Sequence, residues 1–158
     1  MASNLKNLNQ YSDRNLLNIA DKRFGIVVSE WNHDITETLL KSAVETLKYH
    51  GAVSSHIKII YVPGSFELCL GAQKLAEKKK IDAIICLGCI IQGETRHFEF
   101  IAQAVANGVT QVGLKYDKPV IFGVLTTDNL EQAKQRAGGE HGNKGEEAAI
   151  TAIKMLAI

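Results

Sequence analysis

Neither sign of charge dominates this chain of 158 residues: 18 Lys and Arg stand against 17 Asp and Glu. Such a balance leaves no electrostatic footprint for nucleic acid or an anionic membrane, so neither partner is expected. No apolar run approaches the ~18 residues that a spanning helix needs. The segment from Met1 to Asn18 has no apolar core, so it reads as no secretory signal, and a cytoplasmic location is expected. Cysteine is scarce. Cys69, Cys86 and Cys89 form an odd set without extracellular context, which implies reduced thiols. Cys86-Leu-Gly-Cys89 is formally a C-x-x-C. Cys86 falls in a strand-like run, however, where positions three apart face opposite sides, so neither redox nor metal use is expected of the pair. No His, Cys or Asp cluster has metal-ligand spacing. There is no G-x-S-x-G nucleophile elbow and no Gly-Lys-Ser/Thr of a nucleotide-triphosphate loop. Repeats, low-complexity tracts and linkers are also missing, which leaves one compact domain.

What is present has a regular order. The apolar fraction, 46%, and the charged fraction, 22%, are those of an ordinary globular chain. At this length a single domain buries ~70% of its unfolded surface. Residues 1–22 are polar and without period, and read as an arm ordered by a neighbouring subunit; residues 23–158 form the domain. Phe24 to Ser29 is a short apolar run suited to a strand buried on both faces. Ile35, Leu39, Leu40, Val44 and Leu47 have helical spacing, and Gly51 closes that helix. The alternation recurs: strand His56–Val62, helix Phe66–Lys79, strand Ile81–Leu87, helix from His97 toward Gly113, strand Pro119–Leu125, helices Asn129–Arg136 and Lys144–Ala157. Buried strands separated by helices imply right-handed crossovers, and so an α/β three-layer sandwich with a four-stranded parallel sheet. In such sheets ligands bind beyond the carboxyl ends of the strands. Ser29–Asp34, Pro63–Glu67, Gly88–His97 and Thr126–Asn129 fall there.

Those segments carry the candidate chemistry. Gln92-Gly-Glu-Thr-Arg-His97 precedes a helix: Gly93 lets backbone N–H groups approach an anion, the helix start adds unpaired donors, and Thr95 offers a hydroxyl. A plain helix cap by Thr95 is the competing reading. His97, in the first helical turn, has the helix's positive end to disfavour its imidazolium, which suits a proton acceptor. Trp31, at the rim of the first strand, can stack on a flat heterocycle or simply cover the sheet end. Glu67 can accept hydrogen bonds from sugar-like hydroxyls or balance a helix dipole. Arg136 and Lys144 flank a Gly-rich basic stretch, and Arg suits bidentate phosphate binding; both also fit as solvated charges.

Together these segments resemble lumazine synthase from about Phe24 to the C-terminus. The stretches that carry the resemblance are Gly25–Asn32, Val62–Glu67, Leu87–Phe98, Pro119–Thr127 and Arg136–Gly145. Their order and spacing make it specific. The resemblance implies a flavodoxin-like fold. It implies a transferase that condenses 5-amino-6-(D-ribitylamino)uracil with 3,4-dihydroxy-2-butanone 4-phosphate to 6,7-dimethyl-8-ribityllumazine, phosphate and water, with no cofactor and no metal. Carried over position by position, Trp31 stacks on the pyrimidine; Asn32, Phe66 and Glu67 hold the ribityl chain, with Ser65 beside them. Cys89, Ile90 and Ile91 present backbone groups to the pyrimidine edge. Gly93, Glu94 and Thr95 form a phosphate loop with Arg136, and His97 shuttles protons. Phe122, Arg136 and Lys144 come from the neighbouring subunit. The implied partners are the two small-molecule substrates and further copies of the chain, pentamers built into an icosahedral shell of sixty subunits, with riboflavin synthase as a further partner.

The sequence departs from the family in small ways. Trp31 stands where many members have Phe, and Glu140 where the loop is often basic. Two rival readings are a catalytically silent shell protein and a flavodoxin-like flavin binder. The first is opposed by the presence of Trp31, Glu67, Thr95, His97, Arg136 and Lys144. The second is opposed by Ser29–Asp34, which is not the hydroxyl- and Gly-rich loop such a binder needs.

Overall fold

The computed structural model describes residues 17–158. Its centre is a parallel sheet of four strands: β1 (Phe24–Ser29), β2 (Ile57–Val62), β3 (Ala83–Ile91) and β4 (Val120–Thr127), in the order β2-β1-β3-β4. Among the described residues five α-helices surround it: α1 (His33–Tyr49), α2 (Leu68–Ala76), α3 (His97–Tyr116), α4 (Leu130–Arg136) and α5 (Lys144–Met155). Every residue of β1 is buried, as the unbroken apolar run requires of a strand covered on both faces.

The period of two decides which layer each strand residue joins. In β3, Ile85, Leu87 and Cys89 pack with Leu39 and Ala43 of α1 and Ala149 and Ile153 of α5. The alternate residues Ile84, Cys86 and Ile90 pack with Leu75 of α2 and Val105 and Val109 of α3. Cys86 and Cys89 thus lie on opposite faces, and all three thiols are free. The opposite facing of positions three apart and the three-layer architecture are as the sequence pattern implies. The starts of α4 and α5 are capped by side chains: Asn129 Oδ1 accepts from Gln132 N at 2.9 Å and Asn143 Oδ1 from Gly145 N at 2.8 Å. Gly51, just past α1, has φ +102°, the conformation that favours glycine at a helix end.

Several boundaries differ from the sequence expectation, and each difference has a cause. β3 continues four residues past Leu87, because Ile90 and Ile91 pair with Thr126 and Thr127 of a longer β4. Cys89, Ile90 and Ile91 are therefore strand residues, and the connecting loop is only 92–96. The helix expected from Phe66 begins as a 3-10 turn, Ser65–Glu67. It ends at Ala76, where Lys118 Nζ donates to the carbonyls of Ala76 and Lys78 at 2.9 Å each. An unexpected antiparallel pair, β5 (Ala137–Gly139) and β6 (Gly142–Asn143), joins α4 to α5. Of the segment read as an arm, residues 1–16 lie outside the described residues; Ile19 is fully buried in the α1 and α5 layer. Among the described residues no helix is long and apolar enough to cross a membrane.

Candidate active site

At the carboxyl ends of β1, β2 and β3 the loops part around an open cleft of about 740 Å³. Three segments far apart in sequence form its walls. The first follows β1. Glu30 N and Trp31 N donate to the carbonyls of Val62 and Pro63, at 2.8 and 3.1 Å, and so carry the ladder past the strand end. Trp31 leaves that ladder with its indole 73% exposed over the cleft. An indole left in water at a cleft rim contributes nothing to the core, whereas a flat partner would cover it. Asn32, in the left-handed region at φ 58°, turns the chain into α1. Its Nδ2 donates to Cys89 O at 2.9 Å and so ties the end of β1 to β3.

The second wall is the 3-10 turn after β2. Gly64 N donates to Glu67 Oε2 at 3.0 Å, which places the carboxylate at the cleft edge as the closure of its own turn. Phe66 is exposed there. Ser65 is only 7% exposed, and among the described residues its Oγ has no hydrogen-bond partner. The turn sits low because β3 has a glycine beneath it: a Cβ on Gly88 would lie 2.7 Å from Ser65 Oγ and 2.9 Å from Leu68 Cδ1.

The third wall is the end of β3 and the start of α3. Ile90 and Ile91 form the floor, with Cys89 buried. Burial pushes the Cys89 thiol up to about 11. In the short loop a Cβ on Gly93 would meet nothing within 4 Å, so packing does not demand glycine there. Thr95 Oγ1 accepts from His97 N at 3.3 Å, the capping bond of the simpler reading, and keeps its own proton free to donate. His97 is the first residue of α3 and is exposed on the cleft wall.

Of the sequence-predicted residues, Trp31, Asn32, Ser65, Phe66, Glu67, Cys89, Ile90, Ile91, Gly93, Thr95 and His97 all line this cleft. Glu94 is exposed in the loop beside it and does not line it. Phe122 and Lys144 lie elsewhere, in a second depression of about 830 Å³ between α3, β4 and α5. Arg136, the last residue of α4, lines neither; its Nη1 donates to Gln132 O at 3.1 Å. Pro63, Gly64, Phe98 and Ile101 also line the cleft, although the sequence did not single them out. For Phe98 and Ile101 the signal was available, since they are apolar residues three apart on α3, at the spacing of one helix face. Among the described residues no three His, Cys, Asp or Glu side chains converge as a metal site would require.

The comparisons agree with this geometry. The model of the 6,7-dimethyl-8-ribityllumazine synthase family matches residues 21–158. A 6,7-dimethyl-8-ribityllumazine synthase of Cytophaga hutchinsonii is 63% identical over 157 residues, covering 99% of this chain and 98% of the relative. One of Parabacteroides distasonis is 49% identical over 156 residues, with 99% and 98% covered. One of Porphyromonas gingivalis is 48% identical over 158 residues, with 100% and 98% covered. With a cleft at the strand ends and full-length similarity to these proteins, this chain belongs to the 6,7-dimethyl-8-ribityllumazine synthase family.

Proposed function

We propose that this cleft condenses 5-amino-6-(D-ribitylamino)uracil with 3,4-dihydroxy-2-butanone 4-phosphate, giving 6,7-dimethyl-8-ribityllumazine, phosphate and water. The chain is a transferase of riboflavin biosynthesis, acting at its penultimate step. The observation that carries the site assignment is the convergence of Trp31, the Phe66 turn and the Thr95–His97 loop on one cleft.

The chemistry follows from that arrangement. The indole of Trp31 covers the pyrimidine, whose edge meets the backbone of Cys89, Ile90 and Ile91. The ribityl chain runs toward Phe66 and Glu67, where hydroxyls reach Glu67 Oε1 and the unpartnered Ser65 Oγ. The phosphate lies on the loop of Gly93, Glu94 and Thr95, at the positive end of the α3 dipole. With both substrates held, the amine adds to the ketone carbon and water leaves to give an imine. A proton is then taken from the carbon next to it as phosphate departs; the enol left behind becomes a methyl ketone, the second amine adds to its carbonyl, and a second water leaves as the ring closes. His97 stands where these protons move. Proximity supplies most of the acceleration, and one placed base adds ~10²–10⁴-fold.

Phe122, Arg136 and Lys144 complete the cleft of a neighbouring copy in this reading, so the working unit is a ring of pentamer type. The connection between α4 and α5, residues 137–143, is short, like that of members that build shells of sixty subunits; light scattering that finds only pentamers would exclude the shell. Enclosure of riboflavin synthase and a cytoplasmic location belong to the same reading. The direct test supplies both substrates to purified protein and follows the lumazine chromophore. Turnover that needs both supports the assignment. Stoichiometric flavin without turnover overturns it in favour of a flavin binder.

A further inference from the structure

We propose that Asn32 is a positioning residue: its side-chain amide locks the Trp31 platform to the floor of the cleft and so sets the slot that receives the flat ring of the pyrimidine. The inference rests on the proposed reading of the cleft. Asn32 stands at the start of α1, where an Asn side chain ordinarily accepts from the first N–H groups of its helix. Here it makes no such cap. The amide reaches instead to another element: Nδ2 donates to Cys89 O at 2.9 Å, 57 positions along the chain. The backbone of Asn32 is left-handed at φ 58°, a region that Asn enters more readily than most residues.

That bond stands where the sheet no longer provides one. β1 pairs with β3 only as far as Val28 and Leu87, whereas β3 runs on to Ile91 beside β4. Toward β2, the turn of residues 30–32 is fastened by backbone, Glu30 N and Trp31 N donating to the carbonyls of Val62 and Pro63. Toward β3, the Asn32 amide carries the one hydrogen bond from that turn among the described residues. A side-chain amide has the donor of a peptide group, so it adds a rung to the ladder without a strand. The consequence falls on Trp31, the preceding residue, whose indole is exposed over the cleft. A ring stacked on that indole and bonded at its edge to the backbone of Cys89, Ile90 and Ile91 needs platform and floor at a fixed spacing. A misplacement of ~1 Å in a site can cost ~10²-fold. Asn32 therefore acts through its N–H donor. A residue that merely held ribityl hydroxyls could do so with an acceptor, since a hydroxyl also donates.

The test uses Trp31, the one tryptophan of the chain, as its probe. Its fluorescence is titrated with 5-amino-6-(D-ribitylamino)uracil alone, and with 5,6-diaminouracil, the same ring without the ribityl chain. Asn32→Asp keeps the shape, the acceptors and a tolerance for left-handed backbone, but it cannot donate to Cys89 O. Asn32→Gly keeps the backbone conformation and removes the side chain. Both are expected to raise Kd for the ribityl pyrimidine about tenfold, the loss of one hydrogen bond, and Kd for 5,6-diaminouracil by the same factor. Both should also lower the fluorescence anisotropy of Trp31 in the free protein, with KM for the butanone phosphate within about twofold of the parent. Light scattering and the unfolding midpoint check each variant; if Asn32→Asp does not assemble, Asn32→Gly carries both titrations. Parent-like binding by Asn32→Asp, or a loss in Asn32→Gly that vanishes with 5,6-diaminouracil, makes Asn32 a ribityl contact only and overturns the proposal. Equal losses for both substrates mark a general loosening of the fold and overturn it as well. Unchanged anisotropy in both variants removes the lock itself. If the pyrimidine does not quench Trp31 in the parent, the reading of the cleft falls and the proposal with it. If the parent binds and both variants match it, the proposal alone falls.

Discussion

Single side chains in this protein divide by what would notice their removal. Arg136 holds only a carbonyl of its own helix, at 3.1 Å. Its loss is therefore nearly silent for stability, yet selective for substrate if the guanidinium meets phosphate. Arg136→Ala is expected to raise KM for the butanone phosphate by ~10–100-fold, the worth of a charged contact of ~1.5–3 kcal/mol. KM for the pyrimidine and the unfolding midpoint should hardly move; equal loss for both substrates would show that the phosphate assignment is wrong. Cys89 gives the opposite case, a reactive group type in the cleft with its reactivity withheld. Burial lifts its thiol to about 11, so at pH 8 only about one in a thousand is thiolate. The folded protein is expected to leave Cys89 unalkylated by iodoacetamide at pH 8, and rapid labelling there would contradict its burial. The linkage has a definite sign. A thiol whose pKa is raised by folding ionises first in the unfolded chain. The contribution of Cys89 to stability is therefore intact below the ordinary thiol pKa and falls as pH climbs from there toward 11. Residue identity alone left Trp31 with an equally good structural reading, and His97 with a structural reading that was the better of the two. The structure exposes both on one cleft, and exposure is not written in a single side chain.

Elements were legible where one force sets them. β1 is an unbroken apolar run from Phe24 to Ser29, and the strand has those bounds. α4 and α5 start within a residue of the bounds read from the sequence, and the structure adds their caps, Asn129 and Asn143. The sequence was less informative where a distant partner decides. β3 reaches Ile91 because Thr126 and Thr127 of β4 extend alongside it. No local pattern around Cys89 shows that a partner strand will be there. α2 stops at Ala76 because Lys118, more than forty residues on, caps its carbonyls. The close approach of α1 and α5 is hidden in the same way. Gly145 opens α5 directly against the backbone of Leu39, where a Cβ would meet the Leu39 carbonyl oxygen and lie 2.7 Å from its carbon and 2.9 Å from its Cα. Helix propensity alone favours alanine over glycine by up to ~1 kcal/mol. Sterics predict the reverse, since backbone cannot move aside as a side-chain tip can, and overpacking costs ~1–3 kcal/mol. Gly145→Ala is thus expected to lower the denaturation midpoint by a net destabilisation of that order. A higher midpoint would show that the two helices have room to part.

The whole molecule poses the question that one chain leaves open. Its cleft is walled by β1, β2 and β3 loops and the start of α3, while Phe122 and Lys144 open onto a separate depression and Arg136 onto neither. Within one copy these residues do not meet His97. The family resemblance placed them in a neighbour's site, and a parallel sheet with its cleft at one side is compatible with head-to-tail closure of a ring. Complementation distinguishes the alternatives. One variant lacks Thr95 and His97; the other lacks Phe122 and Arg136. Each alone should be nearly inactive, the first for want of a proton carrier and phosphate loop, the second for want of the guanidinium. Mixed at random in equal amounts around a ring, each interface needs an intact contribution from both sides. Each is intact half the time, so about one quarter of the sites should be whole. A site completed inside one chain gives no rescue at any ratio, because every chain carries a defect. Varying the ratio sharpens the test: with a fraction x of one variant, whole sites follow x(1−x) and peak at equal mixing, whereas simple stabilisation of one variant by the other gives a skewed curve. Mass spectrometry of the assembled particles establishes that mixing took place. Mixed particles without regained activity would remove Phe122 and Arg136 from the neighbour's site while leaving the fold and the Trp31–His97 cleft intact.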